Sequence, residues 1–371
     1  MANVSSSNGL EKYPKLRFPQ FAGGYKQATL GDVFEYERPD AYIVSSEQYS
    51  DAYPIPVLTA NQAFILGYTN EDFGIYNKGE VVLFDDFTCD SKIASFPFKV
   101  KSSAMKLLTT KNSIPINYAF ELLRYINYKP EGHARHWISI MQPLPVLLPT
   151  IEEQQKIGTF LSQISERIEK QKELINLLKK YKRGVVKAVF SGKLELSAEY
   201  PFQEWESKAI CECLDYEQPQ KYIVGSEKYD DSFTTPVLTA NKGFILGYTD
   251  EQQGIYDKGD VIIYDDFTMD MKYVTFNFKV KSSTIKMLTP TKGNELYFMY
   301  SLLQSLELQP EGHQRSYISK VEPMIVKIPP YELQLKISEF LRNIDNRVAL
   351  AEKQLVFLVT QKQGLMQGLF A

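Results

Sequence analysis

Asp85-Asp86 and Asp265-Asp266 are the side chains in this sequence best suited to bond-breaking chemistry, because adjacent carboxylates behind a β-rich run resemble the start of a magnesium-dependent nuclease centre. Such a centre also wants an acid two residues ahead of a lysine. Pro97 and Phe98 precede Lys99, and Asn277 and Phe278 precede Lys279, so the acid is missing in both places. The Asp pairs are instead expected to cap hairpin turns ahead of Phe-Thr. His133, His136 and His313 are the only histidines, and without a Cys-x-x-Cys pair they predict no metal site. No Gly-x-Ser-x-Gly turn accompanies them, which argues against a hydrolytic triad. A P-loop is absent, as are the glycine-rich cofactor loop and the Asn/Asp-Pro-Pro-aromatic motif of a methyltransferase. The sequence therefore predicts no catalytic residue, no metal and no cofactor on this chain.

The elements that carry these residues come in two copies. Residues 56–70 recur as 236–250 with 12 of 15 positions identical, and the offset of 180 holds without a gap. It relates Asp85-Asp-Phe-Thr88 to Asp265-Asp-Phe-Thr268, Lys99-Val-Lys-Ser-Ser103 to Lys279-Val-Lys-Ser-Ser283, and Glu131-Gly-His133 to Glu311-Gly-His313. It reaches the tails, where Phe190 matches Phe370. A duplicated unit of this size means two homologous domains. In each copy a first part, about 30–148 and 210–328, alternates short β-rich runs with Gly, Asn and Asp, and holds one helical stretch.

The second part of each copy is helical. Ile157, Leu161, Ile164, Ile168, Ile175 and Leu178 follow a 4-3-4 spacing interrupted by Gln171. Ile337, Leu341, Ile344, Val348, Ala351, Leu355 and Leu358 repeat it. Two such stripes predict two long helices that pair as an antiparallel coiled coil, each about 50 Å long at 1.5 Å per residue. The competing expectation lays each helix on its own β-rich domain. A bar holding two like heads apart suits a split DNA site, whose halves lie about 34 Å or more apart.

Further motifs carry a family resemblance. Pro145-Val-Leu-Leu-Pro-Thr-Ile-Glu-Glu-Gln-Gln-Lys-Ile-Gly-Thr-Phe-Leu161, the run from Ile168 to Gly184, Phe190-Ser-Gly-Lys-Leu194, and the opening Pro14-Lys-Leu-Arg-Phe-Pro19 with Leu30-Gly-Asp-Val33 resemble type I restriction-modification specificity subunits. The resemblance implies an α+β fold of two homologous, mixed β-rich target recognition domains separated by the two helices. The expected boundaries are 1–148 and 195–328 for the recognition domains, with helical regions at 149–194 and 329–371. It also implies partners. These are double-stranded DNA, two methyltransferase subunits using S-adenosylmethionine, and restriction subunits using ATP and Mg²⁺. The second helical start reads Glu332-Leu-Gln-Leu-Lys-Ile337 against Glu152-Glu-Gln-Gln-Lys-Ile157, a departure expected to bear on methyltransferase docking.

Reading bases in a groove takes hydrogen-bonding side chains on loops. The candidates are Thr59, Asn61, Lys92, His133 and Arg135, with Thr239, Asn241, Lys272, His313 and Arg315 as their copies. Lys101 and Ser102, with Lys281 and Ser282, join them as candidate phosphate contacts, as do Lys99 and Lys106. Trp137 and Tyr317 are read as core, subunit-contact or base-stacking aromatics. Two similar heads on an antiparallel bar predict similar half-sequences in inverted orientation, a near-palindromic target with an unread gap. The differences at Cys89/Met269, Ser91/Met271, Ile93/Tyr273, Ala94/Val274, Ala134/Gln314 and His136/Ser316 predict related but non-identical half-sites. Three cysteines without a pairing pattern suit a reducing cytoplasm, and no apolar run is long enough for a membrane span. A net charge of −3 counts against nucleic-acid binding when taken as a total, but a phosphate backbone answers to local patches, so the charge does not decide the question. A coiled-coil protein scaffold is the alternative, distinguished by its lack of sequence-dependent duplex binding.

Overall fold

The computed structural model describes residues 13–370 except 61, 62, 131, 133, 241, 242 and 311–313. The chain divides into two compact units, residues 1–172 with 353–371, and residues 173–352. The unit borders thus fall inside the two long helices, not between the sequence repeats.

The first unit contains, in chain order, β1 (Lys26–Thr29), the one-turn α1 (Leu30–Val33), β2 (Phe34–Glu37), β3 (Ile55–Leu58), β4 (Ile65–Thr69), β5 (Val81–Asp85), β6 (Ser91–Ala94), β7 (Lys99–Val100), β8 (Met105–Thr110), α2 (Ile116–Ile126), β9 (Pro145–Leu148) and the start of α3 (Ile151–Phe190). β5 lies at the centre of an antiparallel sheet ordered β2-β8-β5-β6. Its five residues are all buried, and their alternation explains why. Val81 and Leu83 join Leu58, Phe98 and Val100 in a core shared with the three-stranded sheet β4-β3-β7. Val82 and Phe84 point the other way, into a core with α2, Trp137 and α3. A strand covered on both faces is apolar on both sides of its alternation, here from Val81 to Phe84. β1 and β9 pair antiparallel, so the entry and exit of the head lie side by side.

The second unit repeats the plan with β10 (Glu206–Ala209), α4 (Ile210–Cys213), β11 (Leu214–Glu217), β12 (Thr235–Leu238), β13 (Ile245–Thr249), β14 (Val261–Asp265), β15 (Met271–Val274), β16 (Lys279–Val280), β17 (Ile285–Pro290), α5 (Leu296–Ser305), β18 (Ile325–Ile328) and the start of α6 (Tyr331–Leu369), whose end returns to the first unit. Its sheets run β11-β17-β14-β15 and β13-β12-β16, with β12 and β16 parallel as β3 and β7 are.

The long helices behave alike in the two units. In the first, Ile157 and Leu161 share a core with Met366, Leu369 and Phe370, while Ile164 and Ile168 share one with Leu358. In the second, Lys179 pairs with Glu352 and Lys182 with Asp345, each at 2.6 Å, and Val189 shares a core with Ile337. Advancing along α3 retreats along α6, so the pairing is antiparallel within each unit. Ile175, Leu341 and Ile344 are also buried, whereas Leu178, Val348 and Leu355 are half-buried. Val185, Val186 and Val189 extend the seam beyond the stripe read from the sequence. The competing expectation is met as well. Ile157 and Leu161 also pack on Tyr118 and Leu122 of their own head, so one stripe serves both surfaces.

The close approach of α3 to α2 rests on Gly158, where a Cβ would lie 2.7 Å from the Tyr118 backbone nitrogen. Ser338 takes that place in the second unit and hydrogen-bonds the Glu295 carboxylate.

Candidate nucleic-acid interface

In the first head the C-terminal ends of β3, β5 and β7 meet the start of β8 at one edge. The Lys101 amide donates to the Leu58 carbonyl at 3.1 Å, and the Asp86 amide to Ala104 at 2.9 Å. The His136 amide donates to the Asp86 carbonyl at 2.9 Å. These bonds bring Thr59, Lys101, Ser102, Thr88 and Arg135 to that edge. Three separately predicted loops thus become one surface. The second head builds the same edge, and there Thr239, Thr268, Lys281, Ser282 and Leu246 line an open cleft of about 510 Å³.

The turn after β5 forms as expected. Oδ1 of Asp85 accepts the amides of Phe87 and Thr88, both at 2.9 Å, and Cys89 closes the turn with a left-handed φ of 58°. Burial pushes the Cys89 thiol up to about 12, so it stays protonated. Asp265 does the same for Phe267 and Thr268 at 3.0 and 2.9 Å.

At the edge, Thr59 and Thr239 are half-buried, with their amides bonded to Phe64 and Phe244 across the hairpin at 3.0 Å. Lys101 and Lys281 pair with Glu47 and Glu227, and those hydrogen bonds raise both ammonium groups above their ordinary range. The Ser102 and Ser282 hydroxyls accept the amides of Ala104 and Thr284 at 3.3 and 3.1 Å. Arg135 and Arg315 are exposed and stand over Phe87 and Phe267, at 5.6 and 5.9 Å from the ring centres. Arg315 also lies 3.6 Å from Oδ2 of Asp266. Lys92 is exposed and Lys272 half-buried, one residue further along the sheet than the turn. Asn61, His133, Asn241 and His313 lie outside the described residues.

Several expectations are corrected. Lys99 and Lys106 are not phosphate contacts. Lys99 has no exposed surface and pairs with Glu71 at 2.8 Å, while Lys106 pairs with Asp86 at 3.1 Å inside the head. Lys279 with Glu251 and Lys286 with Asp266 repeat both pairs. A strand lysine whose face is covered by the rest of the head cannot reach solvent, and burial is tolerable only beside a carboxylate. Trp137 and Tyr317 are fully buried, hence core. The differences between copies also lie mostly off the reading surface. Ala94, Val274, Met269, His136 and Ser316 are buried, and Tyr273 packs on Tyr297 and Tyr300. His136 Nδ1 lies 3.1 Å from the Asp86 carbonyl, and Ser316 replaces it with a 2.8 Å hydroxyl bond to Asp266. Tyr264, where the first head has Phe84, fills the space with an OH 3.0 Å from Ser316. Such changes compensate inside the core. Glu153, part of the departing helical start, is likewise engaged internally by Arg17 at 2.7 Å, and Leu333 at the matching place is core.

Asp86 and Asp266 were missed by the sequence reading as positioning residues. Oδ1 of Asp86 accepts the amides of His136 and Trp137 at 3.0 and 2.7 Å, which ties the loop bearing Arg135 to the end of β5. The signal was the doubling itself, since the turn consumes only the first Asp. Among the described residues no group of three or more His, Cys, Asp or Glu could hold a metal.

The family model for the type I restriction modification DNA specificity domain matches residues 23–180 and 203–357, one match per repeat. The chain belongs to this family. A curated relative, the EcoR124I/EcoR124II specificity subunit of Escherichia coli, is 40% identical over 147 residues, covering 38% of this chain and 36% of that protein. The match therefore spans about a third of the relative's length. A crystal structure of the S subunit of a type I restriction-modification system from M. genitalium superposes with a TM-score of 0.69 at 16% identity, over 96% of this chain and 99% of that one. A chain from a structure describing complex assembly and conformational transition of the type I system gives 0.53 at 16% identity, over 94% and 98%. At this identity the two structures bear on the fold, which is that of tandem specificity domains. Among the described residues no helix is long and apolar enough to cross a membrane.

Proposed function

We propose that this chain is the DNA-sequence specificity subunit of a type I restriction-modification complex. Each head reads one half of a bipartite, near-palindromic target, and the helical regions dock two methyltransferase subunits, which restriction subunits join. The observation that carries this is the duplicated edge, which presents the same hydroxyls and guanidinium in two specificity domains. Arg135 and Arg315 supply the paired donors that fit the O6 and N7 acceptors of guanine. Thr59 and Thr239 add hydroxyls, Asn61 and Asn241 amides suited to adenine, and His133 and His313, two residues ahead of the arginines in sequence, ring nitrogens. Lys92, Lys101, Lys272 and Lys281, with Ser102 and Ser282, serve the backbone. The chain sorts sequence and catalyses nothing. Methyl transfer from S-adenosylmethionine and the ATP- and Mg²⁺-dependent steps belong to partner subunits in the cytoplasm. Because Lys101 and Lys281 already face carboxylates, partner surfaces supply much of the attraction to phosphate.

The test is duplex binding by the assembly with its methyltransferase subunits, read by fluorescence anisotropy over a range of salt. Arg135→Ala is expected to cost about 1–3 kcal/mol at one base pair while binding to unrelated duplexes is retained. An assembly that binds every duplex equally well overturns the reading and returns the chain to the scaffold alternative.

A further inference from the structure

The two reading edges are more alike than the heads that bear them. Among the described residues, 59–60, 63–64, 86–91, 101–104, 130 and 134–139 build the edge, and 14 of these 21 positions are identical in the second copy. On the helical side of the head the copies have diverged. Residues 116–126 of α2 keep only Leu122 and Leu123 when set against 296–306. Identity is also high along the hairpin 65–80 and in the core beneath it, where Tyr76, Phe98 and Val100 recur as Tyr256, Phe278 and Val280, so what bears on recognition is which edge positions differ and where their side chains lie.

The edge positions that differ carry almost no outward chemistry. Met269, Ser316 and Tyr317 are buried, and Met271 packs against the core of the second unit. Thr284 replaces Ala104, but its hydroxyl is bound to Asp265 Oδ2 at 2.8 Å and to Ser282 at 3.1 Å. Ala63 and Gly243 bring no polar group. Gln62/Lys242 lies outside the described residues, which leaves Ala134/Gln314 as the exposed polar difference among those described. The supports match as well. Asp86 and Asp266 hold the two arginine loops with the same pair of amide bonds, at 3.0 and 2.7 Å and at 3.0 and 2.8 Å. Phe87 and Phe267 lie beneath the two guanidiniums.

Sequence is read by the donors and acceptors that face the groove, and equal sets at equal positions select equal bases. We infer that the two heads recognise the same half-sequence, so that the target consists of two copies of one short motif around an unread gap. Gln314 adds at most a preference at one flanking base of one half. This inference rests on the recognition reading above and narrows it. A near-palindrome becomes a repeat of one half-site, because most of the differences that suggested unlike halves, Ala134/Gln314 excepted, are buried or packed against the core.

The experiment is selection of duplexes from a randomised library by the full chain assembled with its methyltransferase subunits, followed by sequencing of the retained DNA. The expected result is a bipartite motif with the same bases in both halves. Arg135→Ala and Arg315→Ala, tested singly on the selected duplex, should each relax the same position of one half, by about 5-fold to 150-fold. A motif with unlike halves, or two variants that relax different positions, overturns the inference and leaves the recognition reading intact. Retained DNA with no motif overturns both.

Discussion

Lysines in these heads divide into two kinds that local sequence does not separate. Lys99 and Lys101 are two residues apart, yet one is sealed beside Glu71 and the other faces Glu47 at the reading edge. Lys106 is the buried partner of Asp86. Removing it leaves a carboxylate uncompensated in the interior, at a cost of about 3–5 kcal/mol. Lys106→Met should therefore lower the melting temperature of the first head, and the loop carrying Arg135 should lose amide protection with it. Lys101→Ala should leave melting unchanged and reduce the salt dependence of duplex binding by about one unit of slope. Thermal melts beside salt titrations separate the two kinds of lysine. Equal melting for both variants would contradict the assignment.

Among the elements, α3 shows how closely packing and propensity are set against each other. Gly158 and Gly184 both sit within this helix, where glycine is unfavourable by about 1 kcal/mol relative to alanine. At Gly184 an added Cβ meets nothing within 4 Å, so Gly184→Ala should stabilise the protein by up to that amount. At Gly158 the same methyl would press on the α2 backbone at 2.7 Å. Gly158→Ala should cost about 1–3 kcal/mol, as overpacking does. Denaturant titration of the two variants reads the opposite signs. The long helices themselves were legible, because apolar spacing survives over many turns. Their double use was not, since one stripe facing both a partner helix and a head has the same period as a stripe facing either.

For the whole molecule, the structural units are offset from the sequence repeats. The first head is completed by the last turns of α6, with Phe370 against Tyr118 and Tyr125 at ring distances of 5.6 and 5.1 Å. Tyr25 reaches the Leu369 carbonyl across 344 residues of sequence. In the second head Phe190 takes the equivalent role, 5.3 Å from Phe298. Phe370→Ala should therefore cost about 3–5 kcal/mol. The loss should appear as faster hydrogen exchange in the first head, although Phe370 belongs to the second sequence repeat. Phe190→Ala should damage the second head instead. Exchange that rises in the head of the substituted repeat would refute the offset.

The sequence by itself determined the duplication, the β-rich heads, the paired helices, the turn-capping Asp residues and the family, because each is written in local spacing or in exact recurrence. The tertiary structure decided which lysines face out, what the second Asp of each pair holds, and which differences between copies reach the surface. Those properties depend on which strand covers which, and a strand covered on both faces looks no different in composition from one that is half exposed. The identities at the two reading edges are written in the sequence, but only the packing turns most of the variable positions inward.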